Sequence, residues 1–150
     1  MDAAQLNISG SRVLLVEDNP DHALLAAIVL QQLLGDSMEL IHAENALEAV
    51  ELISEFGPAD HPDLMLIDLR LPLDGGLDVL AAIRANAVCA SVPSIVLTAS
   101  EWDSDVAMSY QLGASAVLHK PLSRRELRDE LNRCCLMSEQ RETLDEASRG

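Results

Sequence analysis

Five short apolar runs recur along the chain, and segments with helical spacing separate them. The runs are VLLV (13–16), MELI (38–41), LMLI (64–67), SIVL (94–97) and SAVL (115–118). Four of them are nearly continuous, which is typical of strands covered on both faces, whereas Glu39 interrupts the second and favours a place nearer the sheet edge. Strands that alternate with helices require a parallel sheet with helices on both faces. The sequence therefore predicts an α/β fold of five strand–helix units.

Two of the intervening helices have stripes whose burial can be predicted. In the first, Asn19-Pro20 supplies a cap and a first-turn proline. The apolar residues that share one face of this helix are Leu24, Leu25, Ile28 and Val29. In the fourth helix, Val106 and Tyr110 lie on one stripe, so we expect Tyr110 in the core.

The length and charge of the chain limit its class. Its 150 residues, 49% of them hydrophobic, fit one domain, which we place at 11–137 between an N-terminal extension (1–10) and a polar C-terminal tail (138–150). The net charge of −15 argues against nucleic acid or an anionic membrane as a partner. Neither a signal peptide nor an apolar run of about 20 residues is present. Together with three cysteines that lack the spacing of a disulfide framework, this predicts a cytoplasmic protein.

Polar residues follow four of the five predicted strands. Glu17-Asp18 follow the first, Asp68 the third and Thr98 the fourth, while the fifth leads into Lys120-Pro121. In the flavodoxin-like, doubly wound order 2-1-3-4-5, ligands bind outside the carboxyl ends of the strands, where the strand order reverses between the first and third. That order would bring the three carboxylates together.

Three carboxylates in one cleft repel one another unless a cation lies between them, and all-oxygen ligation at a hydrated site suits Mg²⁺. Lys120 adds a positive charge and Thr98 a hydroxyl, so metal, ammonium and hydroxyl could each bind one phosphoryl oxygen. Asp68 could then act as a nucleophile that forms an aspartyl-phosphate. A single Asp after a strand is more often a cap or turn residue. The combination of acids, hydroxyl and ammonium is what favours a site.

These motifs resemble the receiver domain of two-component response regulators, the CheY-like superfamily. The segment VLLVEDNPD (13–21) resembles its first strand with the acidic pair, and LMLIDLRLP (64–72) resembles the phosphoacceptor strand. SIVLTAS (94–100) and ASAVLHKP (114–121) match the strands that carry the hydroxyl and the lysine. The resemblance covers about residues 11–137, and it is greatest to small stand-alone regulators associated with phytochrome-type and other sensor histidine kinases.

The resemblance implies a role for each of these residues. Asp68 would be the phosphoacceptor, Thr98 would bond one phosphoryl oxygen and Lys120 would pair with another. The Lys120–Pro121 bond would be cis, as is usual in the family. The ligands of Mg²⁺ would be Glu17, Asp18, Asp68 and the backbone carbonyl of Arg70.

Two departures from the family pattern affect signalling more than phosphorylation. Many members carry Tyr or Phe three residues before the lysine, and here that position is Val117, which has no ring to turn inward. The resemblance also implies that Arg70 and Ser100 would lie beside the path of an attacking water, so they could alter the lifetime of the phosphate. For Arg70, a solvated side chain is an equally good interpretation.

The leading hypothesis is a phosphorylation switch that receives its phosphoryl group from a sensor histidine kinase or a histidine phosphotransfer protein. Since no DNA-binding or catalytic domain follows, we expect output through contact with an unidentified protein, and a homodimer is possible. Beyond phosphotransfer to itself and autodephosphorylation, we expect no enzyme activity. A dehalogenase-type phosphatase, the alternative from another class, needs an acid where Arg70 stands. A binding module independent of phosphorylation would not need the complete set of site residues.

Overall fold

The computed structural model describes residues 11–72, 75–99 and 103–136, without the side chains of 103, 104, 135 and 136. The predicted extension (1–10) and tail (138–150) lie outside the described residues. The strands are β1 (Arg12–Val16), β2 (Glu39–Ala43), β3 (Leu64–Asp68), β4 (Ser94–Thr98) and β5 (Ala116–His119). The helices are α1 (Pro20–Leu34), α2 (Ala46–Glu55), α3 (Gly75–Ala85), α4 (Asp103–Gln111) and α5 (Arg124–Leu131), and a π-helical turn (Asn132–Leu136) continues α5.

The five strands form one parallel sheet in the order β2-β1-β3-β4-β5, which confirms the predicted flavodoxin-like topology. β2 lies at an edge, as the interruption by Glu39 predicted. Val16 pairs with Ile67, and Asp68 pairs with Leu97. Because the strands are in this register, the carboxyl ends of β1, β3 and β4 lie side by side.

Two apolar layers cover the sheet. Leu15, Leu66 and Ile95 point to the side where α1 and α5 pack. The strand residues between them point to the other side, against α2 and α3. Burial of each Leu or Ile side chain stabilises the fold by about 1.5–3 kcal/mol. The sheet is therefore covered on both faces by aliphatic side chains, with the polar strand ends left at its edge.

The prediction that one face of α1 is buried is wrong for three of the four residues on that face. Leu24, Leu25 and Ile28 are 62%, 41% and 45% exposed, whereas Val29 is buried. The buried stripe instead begins with Ala23 and Ala26. α1 has apolar residues around most of its circumference, and alanines allow its first turns to lie close to the sheet. Of the described helices, none is long and apolar enough to span a bilayer.

The predicted burial of Tyr110 on α4 is also wrong, because its side chain is 49% exposed. Among the described side chains of this helix, Ser109 is buried, and its hydroxyl donates a hydrogen bond to the carbonyl of Asp105 at 2.9 Å. α4 packs against α3 and β5, and its large side chains Met108 and Tyr110 are exposed. On α5, by contrast, Leu127 and Leu131 are fully buried.

Candidate functional site

The sheet brings the predicted site residues to one edge. Glu17 directly follows β1, Asp68 and Thr98 are the last residues of β3 and β4, and Lys120 directly follows β5. Glu17, Asp68 and Thr98 are 3%, 4% and 0% exposed, so their polar groups are buried where the strands end. The Lys120 amide donates a hydrogen bond to the Thr98 carbonyl at 2.8 Å, which aligns the last two strands. The predicted cis bond between Lys120 and Pro121 is confirmed.

Lys120 connects the two buried carboxylates. Its Nζ lies 2.9 Å from Glu17 Oε1 and 3.1 Å from Asp68 Oδ2. The lysine side chain is itself only 15% exposed. It is the only lysine in the sequence, a signal that sequence reasoning did not use. An ammonium between two acids neutralises part of their mutual repulsion, and it can turn to any further anion that binds at Asp68.

Glu17 is held at its backbone and at one carboxylate oxygen. Its amide donates to the Ala43 carbonyl at 3.1 Å, and its own carbonyl lies 2.8 Å from His42 Nε2. Its Oε1 contacts His22 Nδ1 at 3.0 Å in addition to Lys120. Among the described residues, its Oε2 is buried and has no hydrogen-bond partner. Sequence reasoning missed both histidines, although His22 lies in the first turn of the helix that follows β1.

The acidic residues of this edge could hold a metal ion. Oxygens of Glu17, Asp18 and Asp68 lie within 4.8 Å of one another. Burial of a carboxylate oxygen without a partner is costly, and Glu17 Oε2 would gain one from a cation or its bound water. Oxygen ligands with one exposed residue, Asp18, suit Mg²⁺ or Mn²⁺, which keep several waters. The donor set therefore fits the predicted Mg²⁺.

The residues expected to modulate the site lie around it. The Arg70 amide donates a hydrogen bond to Asp68 Oδ1 at 2.9 Å, and Arg70 is exposed. The role of its carbonyl as a metal ligand stays a prediction. Val117 is half-buried and packs against the core layer that includes Val96. Ser100 lies outside the described residues.

Gly76 was not predicted to matter, yet α3 begins against the backbone of Asp68. A Cβ at Gly76 would lie 2.5 Å from the Leu69 carbonyl oxygen and 2.8 Å from that of Asp68. Real Cβ atoms essentially never approach so closely. The glycine thus lets α3 close the loop that carries Asp68, and the Gly-Gly pair was the available signal.

The two buried acids titrate in opposite directions. Burial, and then the neighbouring Asp68, raise the pKa of Glu17 to about 8, although Lys120 opposes the rise. Burial would raise the pKa of Asp68 too, but hydrogen bonding with Glu17, the Arg70 amide and Lys120 lower it below its ordinary value. Burial tends to lower the pKa of Lys120, and the two acids together raise it. Without metal, the pair therefore retains one proton, held mainly on Glu17.

This proton makes the stability of the metal-free protein depend on pH. Between pH 4.5 and about 8, the folded chain keeps the Glu17 proton that the unfolded chain has lost. The folded state then binds more protons, so the free energy of unfolding should fall as pH rises through this interval. The shifted pKa values of Asp68 and Lys120 affect stability outside this pH interval, below it and above it respectively. Urea unfolding in EDTA at several pH values measures the slope.

Glu17→Gln, which cannot ionise, is the control for that measurement, and its slope should be smaller. An equal slope in both proteins would show that another group is responsible.

Comparisons with known proteins agree with this geometry. The model of the response regulator receiver domain matches residues 13–132. Response regulator Rcp1 of Synechocystis sp. strain PCC 6803 is 35% identical over 118 residues, 77% of this chain and 80% of its own. Its Mn²⁺-bound crystal structure has a TM-score of 0.66 at 34% identity and covers 79% of this chain and 87% of that one.

Two further structures represent other states of such domains. The phosphorylated cyanobacterial phytochrome response regulator RcpA has a TM-score of 0.69 at 28% identity, with 81% and 88% of the two chains covered. The receiver domain of sensor histidine kinase PA1611 from Pseudomonas aeruginosa PAO1 has a magnesium ion in its active-site cleft. Its TM-score is 0.70 at 31% identity, and 84% of this chain and 98% of that one are covered. With its matching sheet order and acidic cluster, the chain belongs to the response regulator receiver domain family.

Proposed function

We propose that this protein is a phosphorylation switch that accepts a phosphoryl group on Asp68 from a sensor histidine kinase or a histidine phosphotransfer protein. Glu17, Asp18, Asp68 and the carbonyl of Arg70 hold the Mg²⁺. Its output is contact with another protein, and it works in the cytoplasm. Its own chemistry is limited to phosphotransfer to itself and autodephosphorylation.

One observation carries the proposal: the Lys120 ammonium bridges Glu17 Oε1 and Asp68 Oδ2 at 2.9 and 3.1 Å, at a strand edge that also carries Thr98. A purely structural ion pair would not need a buried hydroxyl and an exposed acid, Asp18, at the same place. A phosphoryl group needs all of them, because its oxygens carry charge that must be matched from several sides.

The residues divide the reaction among themselves. A carboxylate oxygen of Asp68 attacks the phosphorus atom, the P–O bond forms and the P–N bond to the donor histidine breaks, leaving the imidazole with the electron pair. Bound Mg²⁺ would neutralise the carboxylates and the phosphoryl oxygens. Lys120 pairs with one phosphoryl oxygen and the Thr98 hydroxyl donates to another. The low pKa of Asp68 keeps the nucleophile ionised at neutral pH.

Acetyl phosphate tests the proposal without a protein donor. With Mg²⁺, the wild-type protein should gain one phosphoryl group that is released by hydroxylamine, as an acyl phosphate is. Intact mass measurement and a Mg²⁺ titration follow the reaction. A protein that takes up no phosphate at any Mg²⁺ concentration would contradict the proposed function.

The outward face of α1 is where we expect the phosphodonor protein to dock. Leu24, Leu25 and Ile28 are exposed, and Leu25 lines a small pocket together with Asp68 and Lys120. An apolar surface beside the phosphoacceptor suits a helical protein that carries a phosphohistidine. Leu24→Asp should reduce phosphotransfer from a phosphorylated kinase by about 10-fold or more, since a charge in an apolar contact is unfavourable.

Phosphotransfer from autophosphorylated sensor kinases of the source organism measures this effect, with acetyl phosphate as the second donor. Leu47→Asp on α2, at a leucine that is 70% exposed, is the matched control. Leu24→Asp should leave the acetyl phosphate reaction unchanged, because Leu24 does not line the pocket at Asp68. If it slows both donors equally, the defect is in the site and α1 is not the docking face.

A further inference from the structure

His22 occupies a position that no metal or phosphoryl role explains. Its Nδ1 lies 3.0 Å from Glu17 Oε1 and 3.1 Å from Lys120 Nζ, so it forms a triangle with the ion pair. Its side chain is 51% exposed, while that of Glu17 is 4% exposed. The ring therefore reaches from the surface to one buried oxygen.

The ammonium of Lys120 has three N–H donors, and three polar atoms lie within reach of them: Glu17 Oε1, Asp68 Oδ2 and His22 Nδ1. A phosphoryl group on Asp68 would compete for the same donors. When Lys120 turns toward it, the buried Glu17 Oε1 loses its charged donor. An unpaired buried carboxylate oxygen is costly, so that loss would oppose the turn unless another donor replaces the lysine.

His22 can supply that donor without gaining a proton. With its ring proton on Nε2, Nδ1 accepts a hydrogen bond from Lys120. With the proton on Nδ1, the same atom donates to Glu17 Oε1. The distances suit both arrangements, and only the tautomer differs.

We propose that His22 is a positioning residue that takes over Glu17 Oε1 when Lys120 turns to the phosphoryl group, and so makes the lysine available to it. This inference rests on the proposed function. It predicts that loss of His22 has little effect on Mg²⁺ affinity while Lys120 pairs with Glu17. The same loss should weaken the binding of an anion at Asp68.

Beryllofluoride, which mimics a phosphoryl group on a carboxylate, separates these two states. His22→Leu has no hydrogen-bonding atoms and should weaken beryllofluoride binding in saturating Mg²⁺ by about 10- to 100-fold, the effect of one lost hydrogen bond to a buried charged group. Its Mg²⁺ affinity without beryllofluoride should change less than about 2-fold, because Lys120 still pairs with Glu17. His22→Asn, whose amide can place a donor or an acceptor near Nδ1, should restore much of the affinity.

Titrations followed by amide NMR measure both affinities. The side-chain nitrogen resonance of Lys120 gives a direct signature, since the sequence has no other lysine. It should shift on beryllofluoride binding in the wild type and shift less in His22→Leu. The control is His61→Leu. The Nδ1 atom of His61 contacts the carbonyl of the next residue, Pro62, at 2.7 Å.

Several outcomes would overturn the proposal: unchanged beryllofluoride affinity in His22→Leu, an equal loss of Mg²⁺ affinity, or an equal defect in His22→Asn. A wild-type protein that does not bind beryllofluoride with Mg²⁺ would instead overturn the proposed function.

Discussion

Asp68→Asn is expected to remove phosphorylation by acetyl phosphate, a loss of about 1,000-fold or more, because the amide cannot act as the nucleophile. Asp68 has the oxygen that the Arg70 amide orients at 2.9 Å and the oxygen that Lys120 pairs with at 3.1 Å. Asparagine is nearly the same size and keeps an acceptor for the amide. The loss should therefore be chemical, with cooperative thermal unfolding retained.

Asp63→Asn is a suitable control, since Asp63 lies just before β3, at the opposite end of the same strand. Its Oδ2 accepts a hydrogen bond from the Arg12 amide at 2.9 Å, far from the site in the sheet. This variant should be phosphorylated like the wild type. Persistent labelling of Asp68→Asn, located by mass spectrometry of peptides, would assign the phosphoacceptor role to another residue.

Lys120→Met is expected to separate phosphorylation from metal binding. Loss of a charged donor to the phosphoryl oxygens should slow phosphorylation by about 100-fold. At the same time the ammonium that competes for Glu17 and Asp68 is removed, so Mg²⁺ should bind more tightly than in the wild type. In EDTA the variant should melt at a lower temperature, because two adjacent buried acids lose their counter-ion. Added Mg²⁺ should then stabilise it more than it stabilises the wild type.

Lys120→Arg tests whether charge alone is enough. Arginine keeps the charge, so the melting temperature in EDTA should remain near that of the wild type. The variant should still be phosphorylated slowly, because its head group is planar and larger and the phosphoryl oxygens need a compact donor at this position. Weaker Mg²⁺ binding in Lys120→Met would show that the lysine helps to build the metal site and does not compete with it.

Val117 concerns the way in which the signal leaves the domain. The structure places it half-buried against the core layer of α2 and α3, where an aliphatic side chain fits. No aromatic ring is therefore available at this position to follow a movement of Thr98. The exposed residues Met108 and Tyr110 on α4 are the large side chains of that helix that a partner could contact.

The sequence by itself determined the order of strands and helices and the residue types at the strand ends. Nearly continuous apolar runs predict strands buried on both faces, and parallel strands carry their following residues to one edge, so Glu17, Asp68, Thr98 and Lys120 could be grouped correctly. These inferences depend on local periodicity and on one topological rule, and both can be read from neighbouring residues.

Only the tertiary structure decided which side of α1 is buried and which atoms meet at the site. Two apolar stripes of α1 satisfy the same helical period, and contact with the sheet selects the one that begins at Ala23. The contacts of Glu17 with Lys120 join residues 103 positions apart, and Gly76 matters through its distance to the Asp68 backbone. Such contacts follow from the packing of segments that are remote in sequence. The periodicity along one segment carries no information about that packing.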